Sequence, residues 1–341
     1  MDRTEGNGTH PPGHDDPFSP SKTMTHNTTT PIPSRRASAL MPLAAAVALM
    51  AGFSSAHADT GKLLLTGGVS TIEGAAGGGL SPWAVIGTQA TEGETGVSAF
   101  VSHAKTQDYG LSVAGAAVAF NNRVEFSVAR QDFNTGITGQ LLGLPGLHLR
   151  QNIVGAKVRL AGDAVLDSDT WMPQVAVGVQ AKHLESSGLD GTLDALGAKR
   201  TGTDVYVSAT KLFLAQGIVV NGTLRATKAN QNGLLGFGAT LGGADNGYEI
   251  QPEISVAYLI RNNLAVGFEY RGMPNKLQRA GAAAGLGDGL RGDDWKDIFV
   301  AWAPSKNVSL TAAYVDLGRV VPATTGGKRQ TGVYVSAQFA F

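Results

Sequence analysis

The feature that most constrains the fold is a repeated alternation of apolar and polar side chains, in segments of about ten residues, from Gly61 to the C-terminus. In the segment 264–271, for example, Val266 and Phe268 fall on one face and Glu269 falls on the other. Successive side chains of a strand point to opposite faces, so this alternation predicts strands with one apolar and one polar face. Such strands occur in soluble β-sandwiches and also in membrane barrels, whose outer face meets lipid and whose inner face lines a lumen.

The lengths of the connections distinguish these two folds. Short turns are expected at 121–122, 215–216, 261–263 and 304–306, and a slightly longer one at 161–170. Along the second two-thirds of the chain they alternate with long Gly- and charge-rich connections at 131–147, 185–203, 228–247, 272–293 and 318–330. Outer-membrane barrels show this asymmetry, because their periplasmic turns are short and their extracellular loops are long. The sequence therefore predicts an all-β fold: a transmembrane, antiparallel, up-and-down β-barrel.

The number of strands sets the size of this barrel. Fourteen segments qualify, an even number that places both termini at the periplasmic end: 62–72, 82–90, 95–104, 109–120, 122–131, 148–160, 171–184, 203–214, 217–227, 248–260, 264–272, 294–303, 307–317 and 331–341. The first two segments have the poorest apolar faces. The alternative is therefore a barrel of twelve strands with an N-terminal plug.

The N-terminal part of the chain predicts export. Its first residues are rich in Pro, Thr, His and Asn, which predicts a disordered leader and makes Met24 an alternative start. Two arginines, a short apolar run and the motif Ala-His-Ala then predict a signal peptide cleaved between Ala58 and Asp59. A membrane anchor is the alternative, but the run is short of the roughly 20 residues that a spanning helix needs. The expected domains are a leader at 1–36, a signal peptide at 37–58 and an outer-membrane barrel at 59–341.

The last segment carries a pattern related to barrel assembly. Phe339 and Phe341 end a row of apolar side chains on one face of the final strand. A final strand of this kind, with Phe at the C-terminus, resembles the signal that the barrel-assembly machinery reads in outer-membrane proteins. The alternative is an ordinary edge strand that happens to end in Phe. We expect the assembly machinery to be a partner of this chain.

Several blocks of the mature region resemble a known family. They are GKLLLTGG at 61–68, EGAAGGGL at 73–80, YVSATKLFLAQ at 206–216, NGTLRATKANQ at 221–231, FVAWAP at 299–304 and LTAAYVDLG at 310–318. Together they resemble the proteobacterial family of domain of unknown function 3034, nearly end to end over residues 61–341. The resemblance implies an exported outer-membrane barrel, and it implies no activity, substrate or catalytic residue. The long leader departs from the family pattern.

Composition excludes several kinds of function. The 27 Lys and Arg residues balance the 27 Asp and Glu residues, so no basic surface for nucleic acid is expected. The absence of cysteine excludes disulfides and thiolate sites. The Gly-rich stretch 74–80 lacks the Gly-Lys-Ser/Thr ending of a phosphate-binding loop, and it predicts a flexible mouth loop or a tight inward fold. We expect no cofactor and no metal.

A hydrolase would need a histidine within hydrogen-bond reach of a serine. Ser102 and His103 are adjacent, but neighbours in a strand point to opposite faces. We therefore expect no catalytic residue and no enzyme activity.

The polar faces of the predicted strands place charged side chains in the lumen. The candidates for a constriction are Glu253, Glu269, Arg225, Arg271, Arg123, Glu125, Lys157 and Arg159. Glu253 and Arg271 are about equally far from the turn at 261–263, so we expect them to face each other near mid-height. The mixed signs favour cross-strand pairs over a ring of one sign. The alternative is that these charges only neutralise one another inside a closed barrel.

These features together predict a narrow or gated channel for small solutes or hydrophobic compounds in the outer membrane of a Gram-negative bacterium. Open porins have about 16–18 strands and eight-stranded barrels are filled, so a constricted or plugged pore is expected between these limits. The alternative is a structural or surface-interaction barrel without transport. The expected partners are outer-membrane lipid, lipopolysaccharide, the barrel-assembly machinery and a small solute.

Overall fold

The computed structural model of the protein describes residues 64–162, 171–244 and 246–341. The predicted leader, signal peptide and cleavage site lie outside the described residues. Twelve strands of the described ranges build the wall of the molecule: β1 (Thr95–Thr106), β2 (Gly110–Phe120), β3 (Val124–Asn134), β4 (His148–Ala161), β5 (Gln174–Glu185), β6 (Thr201–Phe213), β7 (Ile218–Thr227), β8 (Glu249–Arg261), β9 (Leu264–Arg271), β10 (Trp295–Ser305), β11 (Val308–Asp316) and β12 (Thr331–Ala340). Each strand pairs antiparallel with the next, and β12 pairs with β1, which closes the barrel. The predicted all-β, up-and-down barrel is confirmed, with twelve strands.

The first two predicted strands, 62–72 and 82–90, are not part of the barrel wall. Residues 64–90, called the plug below, contain only a short hairpin in which Val69–Ser70 pairs with Ala76–Gly77. Almost every plug residue from Val69 onwards is buried, and the plug contacts inward-facing side chains of the wall. A wall strand needs a continuous apolar face for lipid, and these two segments do not supply one. The alternative of twelve strands with a plug is therefore the observed fold.

The outer wall is apolar. Val256, Phe268 and Trp302 are 40%, 41% and 46% exposed on the outside of neighbouring strands. Ser255 and Glu269, which have the opposite parity on two of these strands, are fully buried inside. This polarity is the reverse of a soluble protein's, and it is the arrangement that transmembrane barrels show.

The two ends of the barrel differ as the connection lengths predicted. One end, the turn end, carries the connections 121–123, 214–217, 262–263 and 306–307, and residues 162 and 171–173 of the connection between β4 and β5. The other, the loop end, carries 107–109, 135–147, 186–200, 228–248, 272–294 and 317–330. Four short helices lie in the long loops: α1 (Gly136–Leu141), α2 (Asp190–Leu196), α3 (Lys276–Ala283) and α4 (Pro322–Thr325). No helix of the described residues is long and apolar enough to cross a membrane.

The long loops cover the loop end of the lumen. Leucines of the loops, such as Leu193 and Leu277, pack in one cluster with inward side chains of the wall, such as Phe133 and Leu149. This group, the mouth cluster, consists of Tyr109, Phe133, Leu147, Leu149, Leu184, Leu189, Leu193, Leu196, Ala198, Leu234, Ala239, Ala244, Leu277, Ala280, Val320 and Val321. The plug thus fills the inside of the barrel, and the mouth cluster lies above it.

Candidate functional site

The backbone of the plug is bound by carboxylates of the wall. Glu269 on β9 accepts hydrogen bonds from the N–H groups of Gly79 (2.5 Å), Leu80 (2.9 Å) and Ser81 (3.3 Å), and from the hydroxyl of Ser255 on β8 (2.8 Å). A Cβ at Gly78 would lie 2.1 Å from Oε1 of Glu269, so a side chain at this position would have to displace the carboxylate that binds the plug. The Gly-rich stretch is therefore a tight inward fold, one of the two forms that the sequence allowed.

A buried ion pair holds the plug nearer the turn end. Lys157 on β4 lies 3.1 Å from Glu125 on β3, and both side chains are almost fully buried. Glu125 accepts hydrogen bonds from the N–H groups of Ala76 (3.0 Å) and Gly87 (2.8 Å). Lys157 donates to the carbonyl oxygens of Ala76 (3.0 Å) and Trp83 (3.3 Å). The pair therefore clamps two separate parts of the plug at once.

The centre of the site is the carboxylate of Glu73, the plug residue with the most cationic partners. Arg271 on β9 donates to both of its oxygens, at 3.0 and 3.1 Å, in the bidentate geometry that suits a carboxylate. Arg225 on β7 lies 3.0 Å from Oε2, and Lys182 on β5 forms an ion pair with Oε1. Three strands of the wall thus each direct one cation at a single carboxylate.

Two acids of the wall complete this arrangement. Glu253 on β8 lies 2.6 Å from Arg225 and 3.4 Å from Arg271, and Asp204 on β6 lies 2.6 Å from Lys182 and 3.4 Å from Arg225. The six side chains, called the charge cluster below, are Glu73, Lys182, Asp204, Arg225, Glu253 and Arg271. None of them is more than 3% exposed. Three formal positive charges therefore balance three negative ones, as burial of so many ions requires.

A long loop reaches the charge cluster from the loop end. The amide oxygen of Asn232, between β7 and β8, accepts hydrogen bonds from Lys182 (3.0 Å) and Arg271 (2.9 Å). Asn232 has φ +62°, a left-handed conformation that asparagine adopts more readily than most residues. The plug and this loop thus meet at the same two cations.

The predicted constriction residues divide into three groups in the structure. Six of them lie buried inside the barrel and contact the plug or the charge cluster: Glu253, Glu269, Arg225, Arg271, Glu125 and Lys157. Arg159 is only half-buried, near the turn end of β4. Arg123 does not lie in the lumen as predicted. It is exposed in the turn between β2 and β3, because β3 begins one residue later, at Val124.

The expectation that Glu253 faces Arg271 agrees with the register of β8 and β9, in which the two are direct partners. Their height differs from the expectation. Arg271 is the last residue of β9, so the charge cluster lies toward the loop end rather than at mid-height.

Two residues of the charge cluster were absent from the predicted set. Asp204 shares its face of β6 with Tyr206 and Ser208, so strand parity alone would have identified it. Glu73 lies outside the wall strands, in a Gly-rich stretch, and no periodicity indicates its position.

The described ranges contain no group of three or more His, Asp or Glu side chains arranged to hold a metal ion. Two acids on neighbouring wall strands, Glu269 and Asp297, are direct partners in the register of β9 and β10. One carboxylate oxygen of Asp297 is buried without a hydrogen-bond partner.

The assembly-signal residues lie at the seam where the barrel closes. Phe339 and Phe341 are 42% and 43% exposed on the outside. The N–H and C=O groups of Phe341 pair with Val97 on β1, at 2.8 and 2.9 Å. The C-terminal residue is thus hydrogen-bonded to the first wall strand.

Comparison with known proteins identifies a family and a common architecture. The model of a family described as "Protein of unknown function (DUF3034)" matches residues 66–338. No curated protein sequence matches the chain.

Solved structures share the barrel at low similarity. The KdgM porin in complex with disordered oligogalacturonate has a TM-score of 0.45 and 9% identity, over 72% of this chain and 99% of that one. The NanC porin has a TM-score of 0.45 and 8% identity, over 72% and 100%. Outer membrane phospholipase A from Escherichia coli has a TM-score of 0.40 and 9% identity, over 71% and 92%. At these values, none of the three likenesses bears on the activity of this chain.

Proposed function

This chain belongs to the family of proteins of unknown function DUF3034, and we propose that it is an outer-membrane channel for small solutes that rests in an occluded state. The short turns face the periplasm and the long loops face the exterior, as in bacterial barrels. The chain reaches this membrane through a signal peptide cleaved after Ala58 and through the assembly machinery, which reads Phe339 and Phe341. Outer-membrane lipid and lipopolysaccharide surround the wall.

The observation that carries the proposal is that the wall closes without the plug. Strand β12 pairs directly with β1, so every ladder of the barrel is complete among the twelve wall strands. The plug precedes β1 in the chain and contributes no strand to the wall. Displacement of the plug therefore breaks no hydrogen bond between wall strands, and it leaves a closed barrel with a polar inner surface.

The polarity of the lumen also supports transport. A barrel whose only task is stability does not need six buried ions in its interior, because well-packed apolar groups of the same volume are often equally stable or more stable. Polar groups of a lumen can exchange their plug contacts for water or solute once the plug moves. Wall residues in contact with the plug include Gln131, Thr210, Thr223 and Gln338 besides the charged ones.

The alternative is a structural or surface-interaction barrel without transport. Apolar contacts favour it: Ile72 and Leu80 of the plug pack with Phe100 and Trp295 of the wall, and Trp83 packs with Phe299. The mouth cluster also packs over the loop end. These contacts must separate if the channel is to open, whereas a structural barrel can keep them permanently.

Single-channel conductance in planar bilayers decides between the two functions. We expect the wild-type protein to be silent or nearly so. We expect Glu253→Ala and Arg271→Ala to conduct, because each leaves the buried charge cluster with a net charge of one unit and one ion pair fewer for each neighbour. The matched control is Arg329→Ala, which breaks an exposed ion pair with Asp316. If all variants are silent although they fold and resist urea as barrels, the structural alternative is correct.

A reversible crosslink tests whether conduction requires movement of the plug. The protein has no cysteine, so a single pair can be introduced at Ala84 and Thr210, where the N–H of Ala84 donates to Oγ1 of Thr210 at 2.8 Å. In the Arg271→Ala background, we expect this pair to suppress conductance when oxidised and to restore it when reduced. Equal conductance in both states would show that solutes do not pass where the plug lies.

A further inference from the structure

We propose that the wall site occupied by Glu73 is a binding site for the carboxylate of an acidic solute, and that Glu73 occupies it in the resting state as an internal mimic of that solute. This inference rests on the proposed channel function and assigns to it a class of solute. It names Lys182, Arg225 and Arg271 as the groups that hold the solute.

The charges of the wall support an anion at this position. Without Glu73, the charge cluster retains Lys182, Arg225 and Arg271 but only the two acids Asp204 and Glu253. The wall residues of the charge cluster therefore carry one uncompensated positive charge when Glu73 is absent. A buried ion without a partner is costly, so the wall site has an intrinsic demand for one negative charge.

The geometry favours a carboxylate. Both terminal nitrogens of Arg271 point at the two oxygens of Glu73, and this planar fork matches a carboxylate group. Arg225 approaches Oε2 at 3.0 Å and Lys182 approaches Oε1, so each oxygen also has a cation of its own. All three cations belong to wall strands, which remain in place when the plug moves.

The groups outside the charge cluster that contact Lys182, Arg225 and Arg271 are uncharged, so they hold these cations in place without supplying the negative charge that Glu73 supplies. Asn232 accepts from Lys182 and Arg271, Gln180 accepts from Arg225 at 2.7 Å, and the ring of Tyr206 lies 5.5 Å from the guanidinium of Arg225. The backbone carbonyl of Leu80 accepts from Arg271 at 3.1 Å. Of these groups, only the carbonyl of Leu80 belongs to the plug. When the plug moves away, the N–H group of Arg271 that donates to this carbonyl becomes free to bind the solute.

The test removes the carboxylate of Glu73 and asks whether a small carboxylate added to the solution binds in its place. Glu73→Ala removes the equivalent of one acetate ion, so sodium acetate is the probe, with sodium chloride at equal concentration and neutral acetamide as controls. We expect acetate to raise the urea midpoint of Glu73→Ala in a saturable manner, and acetamide and chloride to have no such effect. Glu94→Ala, which removes a carboxylate of the 91–94 connection, should show no acetate effect.

Conductance of the same variant separates this inference from the proposed function. Suppose that Glu73→Ala conducts, but that acetate neither stabilises it nor carries more current than chloride. The proposed channel function is then supported and the proposed carboxylate site is wrong. If acetate stabilises Glu73→Ala but this variant does not conduct, the carboxylate site is supported and the proposed channel function is wrong.

Should Glu73→Ala fail to fold, the wild-type protein provides the second measurement. Acetate then competes with Glu73, and we expect a dose-dependent increase in hydrogen exchange of the plug amides of Gly79 and Leu80, which chloride does not produce. Exchange that is identical in acetate and chloride would overturn the proposal.

Discussion

Arg271, at the end of β9, donates two hydrogen bonds to the carboxylate of Glu73 in the plug, although the two residues are 198 positions apart in the sequence. This bidentate contact links the barrel wall directly to the segment that fills it. Because both side chains are buried, the loss of either one leaves an uncompensated charge rather than a solvated one.

The first prediction concerns that charge. Arg271→Met keeps most of the side-chain volume but leaves Glu73 and Glu253 short of a cation, so we expect a loss of about 3–5 kcal/mol in the free energy of unfolding. The control is Arg329→Met, which breaks an exposed bridge to Asp316 and should cost about 0–1 kcal/mol. Urea unfolding in lipid vesicles measures both. Equal losses would mean that the charge cluster is not shielded from water.

The second prediction concerns the lipid face. Val256 on β8 and Phe268 on β9 are direct register partners and both are exposed on the outer wall. We expect Val256→Arg to cost about 2–4 kcal/mol in a bilayer, because a charge near the midplane has no polar partner there. Val256→Leu, at the same site, should be nearly neutral. Tolerance of arginine at this position would show that the outer wall does not meet lipid.

The third prediction compares two glycines of the wall. A Cβ at Gly178 on β5 would lie 2.2 Å from the ring of Tyr206, whereas a Cβ at Gly222 on β7 would meet no atom within 4 Å. We expect Gly178→Ala to lose about 1–3 kcal/mol through overpacking. Gly222→Ala should be neutral or slightly stabilising, because alanine has fewer unfolded conformations to lose. The comparison of the two unfolding midpoints checks this, and similar effects would contradict the packing of Tyr206 over Gly178.

The fourth prediction concerns pH and the loops. Hydrogen bonds from the side chain and backbone of Arg319 lower the pKa of Asp293 to about 2, although partial burial opposes this, and the charge of Arg329 contributes as well. Because the folded pKa lies below the ordinary value of 3.8, this contact stabilises the loops above about pH 4, and the stabilisation is lost as the pH falls toward 2.

Hydrogen exchange of the loop 317–330, corrected for the intrinsic pH dependence of exchange, measures this effect. We expect the protection of these amides from exchange to fall between pH 4 and pH 2 in the wild type. We expect no such fall in Asp293→Asn, which has no carboxylate at this position to protonate. An identical profile in both proteins would show that Asp293 does not hold the two loops together.

The fifth prediction concerns processing. Small residues precede Asp59 at the positions that signal peptidase requires, so the membrane form should begin at Asp59. N-terminal sequencing of the purified membrane protein checks this. Retention of Arg35 and Arg36 would show that the segment is not cleaved.

The sequence alone determined the wall of this protein. Alternation with a period of two fixes which side chains face outward, and the turn at 262–263 brings Glu253 and Arg271 to similar heights. Their direct pairing also depends on a one-residue register shift between Leu259 and Arg261. Both are local properties, because a strand and its hairpin neighbour are adjacent in the chain. The segments that form the twelve wall strands, the short and long connections and the inward position of six of the eight candidate charges followed from them, although the sequence predicted fourteen strands, with twelve as the alternative.

Only the tertiary structure decided what fills the barrel. Glu73 lies in a Gly-rich stretch without periodicity, and its partners Lys182, Arg225 and Arg271 come from three strands that are far apart in sequence. Whether such a stretch becomes a wall strand or a plug depends on the space and the charge left inside a barrel that is already closed. The same holds for Asn232, which reaches Lys182 from the loop between β7 and β8. Local pattern determines the direction of each side chain, whereas closure of the barrel determines which side chains meet.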